Sequence, residues 1–205
     1  MTSKTVALAM TGASGMPYGL RLLECLLGGG VTVYLMVSTP ARMVLAQESD
    51  LRLPSRPAET RAVLEARYGS APGQLQVFGQ EDWGAPVASG SSAPDALVVC
   101  PCTTGTLGAL AAGTSRNLIE RAADVVLKER RRLILVPREM PLSVIHLENM
   151  LRLARAGAVI LPPSPGFYHG PRAIADLVDF VVARILDHLG IAQDLIPPWG
   201  SEERE

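Results

Sequence analysis

Short apolar runs recur along the chain, and each is followed by a polar or glycine-rich turn and then by a segment with helical periodicity. The continuously apolar runs, which are typical of strands buried on both faces of a sheet, lie at residues 6–10, 31–37, 96–100, 133–136 and 158–161. The clearest predicted helices lie at residues 18–27, 39–48, 117–130, 142–156 and 173–189. This alternation predicts right-handed βαβ units. We therefore expect a doubly wound α/β sandwich with a mostly parallel sheet.

The remaining segments carry weaker patterns. Residues 51–73 predict a loop with a short helix, residues 74–78 a minor strand, and residues 82–94 a long loop without helical period. We expect residues 1–190 to form one α/β domain and residues 191–205 to form an irregular C-terminal tail.

Composition narrows the class of protein. Of 205 residues, 48% are hydrophobic and 19% charged, which supports a sizeable core and excludes disorder. The mean hydropathy of +0.23 also favours a homo-oligomer that buries further apolar surface. Nineteen Lys and Arg against 20 Asp and Glu argue against nucleic acid or an acidic membrane as a partner. With no transmembrane run and no signal-peptide pattern at the N-terminus, we expect a cytoplasmic protein.

The cysteines and histidines do not form a metal motif. Cys25, Cys100 and Cys102 are an odd set without C-x-x-C spacing, and no H-E-x-x-H occurs. We expect no metal site, and we expect Cys100 and Cys102 to pack as small apolar residues.

Candidate chemistry lies just after the strands, because ligands of doubly wound sheets bind at the carboxyl ends of strands. After the first strand, Gly12, Gly15 and Gly19 surround Ser14 in a turn whose backbone N–H groups suit a nucleotide phosphate. The alternative is a tight strand–helix turn only. The second strand ends in Ser38 rather than in the acidic residue typical of NAD-binding folds, which favours a mononucleotide such as FMN.

A second polar turn follows the strand at residues 96–100. Its hydroxyls and backbone N–H groups come from Thr103, Thr104, Gly105 and Thr106. These groups suit the same nucleotide, although an ordinary helix N-cap explains them equally well.

Charged residues form a third set of candidates. Arg138 and Glu139 follow a buried strand directly and suit phosphate binding and proton transfer, the alternative being a surface ion pair. Glu48 is a second candidate acid, or a solvated carboxylate at a helix end. Arg121 and Lys128 lie seven residues apart on one helix face, which suits an acidic ligand or simply a solvated face.

Six runs together resemble the flavin prenyltransferase (UbiX-type) family. They are MTGASG at residues 10–15, SGSSAP at 89–94, PCTTGT at 101–106, NLIERAADV at 117–125, LVPRE at 135–139 and PGFY at 165–168. The resemblance extends from residue 6 to about residue 199 and implies a Rossmann-like, flavodoxin-like flavoprotein fold for the predicted domain.

The resemblance also implies an activity. Family members transfer a dimethylallyl group from dimethylallyl phosphate to reduced FMN, joining flavin N5 and then C6. The resulting prenylated FMN is the cofactor of a UbiD-type decarboxylase, as in ubiquinone precursor synthesis. Membership implies a dodecamer as well.

Site roles follow from the same resemblance. FMN would be held by Gly12, Ala13, Ser14, Ser38, Thr103, Thr104, Gly105, Thr106 and Arg138. The allyl phosphate would be bound by Lys128, Tyr168 and Arg184, with charge from Arg121. Trp83 would face the allyl cation, Glu48 and Glu139 would serve the phosphate and proton network, and Ser14 would lie near flavin N5.

The chemistry is consistent with these residue types. Breaking an allylic C–O bond leaves a cation and a phosphate, so cationic side chains, an aromatic wall and exclusion of water are required, and no metal is needed. The retained phosphate is a candidate base for the C6 proton.

Two alternatives remain open. An FMN-dependent cysteine-type decarboxylase usually carries a catalytic His after the second strand and a P-x-M-N-x-x-M-W motif, and this chain has neither. A non-enzymatic flavin carrier would not need Lys128, Arg184 and Glu139.

Overall fold

The computed structural model of the chain describes residues 4–197 and Gly200. These residues contain six strands and seven α-helices. The strands are β1 (Thr5–Met10), β2 (Thr32–Val37), β3 (Leu75–Phe78), β4 (Ala96–Cys102), β5 (Arg132–Pro137) and β6 (Val159–Ile160). The helices are α1 (Met16–Gly28), α2 (Thr39–Glu48), α3 (Pro57–Tyr68), α4 (Thr104–Ala111), α5 (Leu118–Lys128), α6 (Val144–Arg155) and α7 (Ile174–Leu189).

The strands form one parallel sheet in the order β3-β2-β1-β4-β5-β6. On either side of β1, Val6 pairs with Val33 of β2 and with Ala96 of β4. The strand order reverses between β1 and β4, so the carboxyl ends of these two strands flank the topological switch point. The predicted doubly wound α/β fold is confirmed.

Alternating side chains of β1 divide the core between the two faces of the sheet. Val6 and Leu8 belong to a cluster that includes the apolar sides of α1 and α7, and these helices pack against each other. Ala7 and Ala9 belong to a second cluster that includes residues of α4, α5 and α6. Helices α5 and α7 therefore lie on opposite faces of the sheet.

Several predicted boundaries change. The segment 51–73 contains a full helix, α3, and the predicted loop 82–94 contains two 3-10 turns, Pro86–Ala88 and Gly90–Ser92. Strand β4 continues through Cys102 because Cys102 still pairs with Pro137.

Cys100 and Cys102 are fully buried, and burial raises the pKa of both thiols. The prediction that they pack as apolar residues is confirmed.

The C-terminal tail is irregular as far as the structure describes it. Residues 191–197 contain no helix or strand. Residues 198–199 and 201–205 of the predicted tail lie outside the described residues, and the domain boundary at residue 190 stays a prediction.

The described part of the chain has no membrane-spanning helix and no cluster of metal ligands. None of its helices has the length and apolar character needed to cross a membrane. No group of three or more His, Cys, Asp or Glu side chains there is arranged to hold a metal ion. Cytoplasmic localisation and the absence of a metal stay predictions.

Candidate active site

Thr11 joins the two loops at the switch point. Its backbone N–H and its hydroxyl both donate to the Pro101 carbonyl, at 3.1 and 2.9 Å, and the hydroxyl oxygen accepts from the Thr103 N–H at 2.8 Å. The side chain is buried, so these bonds are shielded from water. Thr11 was missed as a functional residue, and its position directly after the apolar run of β1 was the available signal.

The glycines after β1 each have a packing reason. A Cβ at Gly12 would overlap Pro40 of α2, and a Cβ at Gly19 would lie 2.5 Å from the Cys100 carbonyl oxygen. Gly15 has a φ of 113°, which L side chains rarely adopt. The tight strand–helix turn therefore explains the glycine pattern, and the pattern alone is no evidence for a phosphate.

Glu48 caps the start of α1 from the end of α2. One carboxylate oxygen accepts from the Gly15 and Met16 N–H groups, both at 2.9 Å. Burial by itself would raise the pKa of Glu48, but hydrogen bonds from the Ser14 side chain and these two N–H groups, together with the Arg138 charge, lower it overall. Glu48 is therefore a fixed anion in contact with the Ser14 loop, not a solvated helix-end carboxylate.

The hydroxyls of Ser38 and Thr103 are helix N-caps. Ser38 Oγ accepts from the Ala41 N–H at 3.1 Å at the start of α2, and Thr103 Oγ1 accepts from the Thr106 N–H at 3.0 Å at the start of α4. Thr103 and Thr106 also join through their hydroxyls at 2.9 Å. The capping alternative is confirmed for the threonine turn, and each hydroxyl retains further hydrogen-bonding capacity.

These loops enclose a cavity of about 190 Å³ at the carboxyl ends of the strands. It is lined by Thr11, Gly12, Ser38, Pro40, Gln80, Thr103, Thr106, Asn117, Ile119 and Glu120. Thus the predicted residues Gly12, Ser38, Thr103 and Thr106 converge on one polar cavity.

Sequence reasoning assigned no role to the cavity residue Glu120. It is 6% exposed, and its carboxylate accepts from the Thr114 hydroxyl and the Arg116 N–H at 2.9 Å and from the Asn117 amide at 3.0 Å. Burial alone would raise the pKa of Glu120, but these hydrogen bonds outweigh it and the pKa is lowered. The Glu120 carboxylate fixes the turn before α5. The sequence signal for this role was Asn117 at the N-cap followed three residues later by Glu120, the spacing of a capping box.

Arg138 and Glu139 lie exposed after β5. Arg138 Nε donates to the Ser14 carbonyl at 3.1 Å, which ties Arg138 to the loop after β1. The Glu139 carboxylate accepts from the Met140 N–H at 3.1 Å. Within the described residues these two side chains form no ion pair with each other, so the surface ion-pair alternative is wrong.

The cations of α5 face the segment before β4. Arg121 donates to the Ala88 carbonyl at 3.0 Å and pairs with Asp124 at 2.8 Å. Lys128 pairs with Glu129 and lies beside Gly90.

Trp83 lies in the loop after β3, with 49% of its surface exposed. An indole exposed to this degree is available to a ligand.

Tyr168 and Arg184 line a different cavity, of about 380 Å³, beside α7. The Tyr168 ring meets Phe180 edge-on at 5.6 Å, and Arg184 donates to Asp187 at 2.7 Å. Because α5 and α7 lie on opposite faces of the sheet, one chain does not bring Lys128 together with Tyr168 and Arg184.

Comparison with known proteins identifies the family. The model of the Flavoprotein family matches residues 1–186. The flavin prenyltransferase UbiX of Pseudomonas aeruginosa is 61% identical over 197 residues, which cover 96% of this chain and 94% of that protein. The chain belongs to the UbiX flavin prenyltransferase family. The UbiX protein of Methanothermobacter thermautotrophicus is 44% identical, with 98% of this chain and 97% of that protein covered.

Solved structures of UbiX proteins agree with this membership. AnUbiX (PadA1), in complex with FMN and dimethylallyl pyrophosphate, superposes with a TM-score of 0.87 at 40% identity, covering 98% of this chain and all of that chain. A dodecameric FMN-dependent UbiX-like decarboxylase from Escherichia coli O157:H7 has a TM-score of 0.81 at 40% identity, with coverage of 92% and 96%. The predicted family and the predicted enzyme class, a prenyltransferase, are confirmed.

Proposed function

We propose that this chain transfers the dimethylallyl group of dimethylallyl phosphate to N5 and C6 of reduced FMN and releases phosphate. The observation that carries the proposal is the hydroxyl-lined cavity at the switch point, in a UbiX-family chain whose relative AnUbiX was solved with FMN and dimethylallyl pyrophosphate. When bound, reduced FMN supplies the two nucleophilic ring atoms.

The cavity residues fit an FMN phosphate and its ribityl chain. The hydroxyl-bearing side chains of Ser38, Thr103 and Thr106 line the cavity, and Gly12 lines it as well. An anion at the start of α1 would meet the Glu48 carboxylate, which already occupies the N–H groups of that turn. We therefore expect the FMN phosphate at the hydroxyls. Ala13, Thr104, Gly105 and Arg138 complete the proposed FMN set.

We further propose that two copies of the chain complete the substrate site. Lys128, Arg121 and Trp83 would come from one copy, and Tyr168 and Arg184 from another, because α5 and α7 lie on opposite faces of one sheet. These cations would stabilise the leaving phosphate, so the reaction as proposed needs no metal.

The surface of α6 supports assembly. Val144 and Ile145 are 69% and 68% exposed, and Leu147 and Leu151 also present apolar side chains to the surface. Apolar patches of this kind mark contacts between proteins. We propose that this surface joins copies of the chain in a homo-oligomer, with the dodecamer of the Escherichia coli relative as the expected form.

The acids have separate proposed roles. Glu48 orients the Ser14 hydroxyl and holds the loop that approaches the flavin. Glu139 directly follows Arg138, which contacts the Ser14 carbonyl, and its exposed carboxylate transfers protons during ring closure. Trp83 offers its ring face to the allyl cation. We propose that the product serves a UbiD-type decarboxylase.

A complementation experiment tests both the activity and the shared site. Lys128→Ala and Arg184→Gln are co-expressed with different tags, mixed oligomers are isolated, and phosphate release from dimethylallyl phosphate is measured with reduced FMN. Each variant alone should be inactive, and mixed oligomers should recover about a quarter of the parent activity, the fraction of sites with both residues intact.

Two controls accompany this experiment. Oligomers of two differently tagged Lys128→Ala chains should stay inactive, and oxidised FMN should support no phosphate release. No recovery in mixed oligomers would contradict the shared site, and parent-level release without reduced FMN would contradict the proposed reaction.

A further inference from the structure

A basic recess lies at the amino ends of the strands, opposite the hydroxyl-lined cavity of the same chain. Its volume is about 910 Å³, and Lys4, Asp95, Arg130, Arg131, Arg132 and His188 line it. Seven-residue β4 separates this recess from the switch point by about 20 Å. The proposed prenyl transfer uses none of these side chains.

Arg130 has an unusual backbone conformation. Its φ is 53°, and it is the non-glycine residue with positive φ in the described part of the chain. At the ends of five other helices the residue with positive φ is a glycine: Gly30, Gly69, Gly113, Gly157 and Gly190. Only the end of α5 places a large side chain in this conformation, at a cost of backbone strain. Such outliers occur at functional sites when the side chain is needed.

The conformation of Arg130 lets three consecutive arginines border one recess, together with Lys4. Two of these cations are already partnered. Lys4 donates to the Leu189 carbonyl, and Arg131 pairs with Asp95 at 3.6 Å.

The Asp95 carboxylate has a second partner besides Arg131. It accepts from the Thr5 N–H at 2.9 Å. Among the described residues, Arg130 and Arg132 have no hydrogen bond or ion pair through their guanidinium groups, although both face the recess. The guanidinium groups of Arg130 and Arg132 are therefore unpaired within the described residues, because the carboxylate of Asp95 already pairs with Arg131.

We propose that this recess is a second binding site, for a small molecule that carries a diphosphate. Guanidinium groups bind phosphate oxygens in bidentate geometry, and two of them suit two linked phosphates. The recess is open and its lining is mainly polar and charged, which suits a small hydrated anion rather than an apolar ligand. The C-terminal end of α7 lies at the same recess, and its free carbonyl groups carry partial negative charge. Cationic side chains are therefore needed there to offset the repulsion of an anion.

Binding of inorganic pyrophosphate to the FMN-loaded protein tests the proposal. The affinity is measured by isothermal titration calorimetry in about 150 mM NaCl, because salt at this concentration screens non-specific electrostatic attraction. Arg130→Gly and Arg132→Gln should each weaken this binding by about tenfold or more, because each removes charge-assisted hydrogen bonds. Arg130→Gly also relieves the positive φ, so its Tm should not fall and a loss of binding is not a loss of folding.

Two control variants locate the bound anion. Arg56→Gln removes an exposed arginine elsewhere and should leave binding unchanged, and Arg184→Gln, in the candidate substrate cavity, should retain the recess site. The proposal is overturned if the parent does not bind pyrophosphate, if Arg56→Gln weakens binding equally, or if only Arg184→Gln does. It is also overturned if a short polyglutamate peptide binds the recess while pyrophosphate does not. Arginines that serve only the helix dipole would leave affinity unchanged in both recess variants.

Discussion

Replacing Glu48 by Ala tests the contact between α2 and the loop after β1. The carboxylate accepts two backbone N–H groups at 2.9 Å and interacts with the Ser14 side chain. Gly15, the residue at the N-cap of α1, has no side chain to satisfy these donors, so Glu48 acts as the cap from another helix.

The magnitude follows from these bonds. A hydrogen bond to a charged group contributes about 1.5–3 kcal/mol, and loss of a helix cap costs about 0.5–2 kcal/mol. Because Glu48 is half-buried and water can replace part of the contact, we expect Glu48→Ala to lower the free energy of unfolding by about 1–2 kcal/mol. Glu48→Gln keeps an accepting oxygen and should lose about half of that.

Thermal unfolding at fixed protein concentration measures the effect. For a chain of this size, 1–2 kcal/mol corresponds to a Tm decrease of roughly 2–8 °C. As a matched control, Glu59→Ala removes an exposed carboxylate from the first turn of α3 and should change Tm by less. A Glu48→Ala protein with the parent Tm and parent FMN affinity would refute the capping role.

The lowered pKa of Glu48 predicts a pH dependence. Its pKa is lower in the folded than in the unfolded chain, so the ionised carboxylate stabilises the protein above the unfolded-state pKa. This stabilisation is lost as pH falls through the folded-state pKa. The Tm difference between the parent and Glu48→Gln should therefore shrink between about pH 5 and pH 3. A difference that stays constant over this range would contradict the assignment.

Three further predictions concern the proposed site. Glu139→Gln should bind FMN and dimethylallyl phosphate but form product at least about 100-fold more slowly in single-turnover kinetics, since Gln cannot transfer a proton; a rate within a few-fold of the parent would make Glu139 structural. Lys128→Ala should keep its FMN and lose phosphate release by about 100-fold or more; loss of FMN with normal turnover of the remaining holoenzyme would contradict its role. Ser38→Ala should weaken FMN binding about tenfold by fluorescence titration, with the exposed Ser55→Ala as control; equal affinities would exclude Ser38 from the FMN site.

The sequence predicted the architecture well because the strands are buried on both faces. Continuous apolar runs gave five of the six strands within two residues, and the turns that follow them lie at the switch point as expected. Two segments contained more regular structure than predicted: residues 51–73 hold the full helix α3, and residues 82–94 hold two 3-10 turns that are too short to produce a periodic pattern.

The site was only partly predictable, because its decisive contacts are distant in sequence. Glu48 reaches Gly15 across 33 residues, and Thr11 reaches Pro101 across 90. Helical periodicity shows which side of a helix is buried but not on which face of the sheet the helix packs. The separation of Lys128 from Arg184 was therefore invisible until α5 and α7 were placed.

At the glycines after β1, the sequence pattern suggested a ligand-binding role where the structure shows a packing requirement. Gly12 suggested a phosphate approach, yet its Cβ would meet Pro40, so a bulky substitution at Gly12 would disturb α2 whether or not FMN binds nearby. Ser38 and Thr106 test the FMN site more directly because their side chains line the cavity itself; Ser38→Ala also removes the N-cap of α2, so its Tm is measured alongside its FMN affinity.

The mass of the flavin after reaction tests the central claim most directly. The protein is loaded with FMN, reduced under anaerobic conditions and incubated with dimethylallyl phosphate, and the flavin is extracted and analysed by mass spectrometry. We predict that the extracted flavin gains one five-carbon dimethylallyl unit, and that the gain disappears without reductant and in Lys128→Ala. Recovery of unmodified FMN from the reduced parent protein, with dimethylallyl phosphate intact, would contradict this prediction.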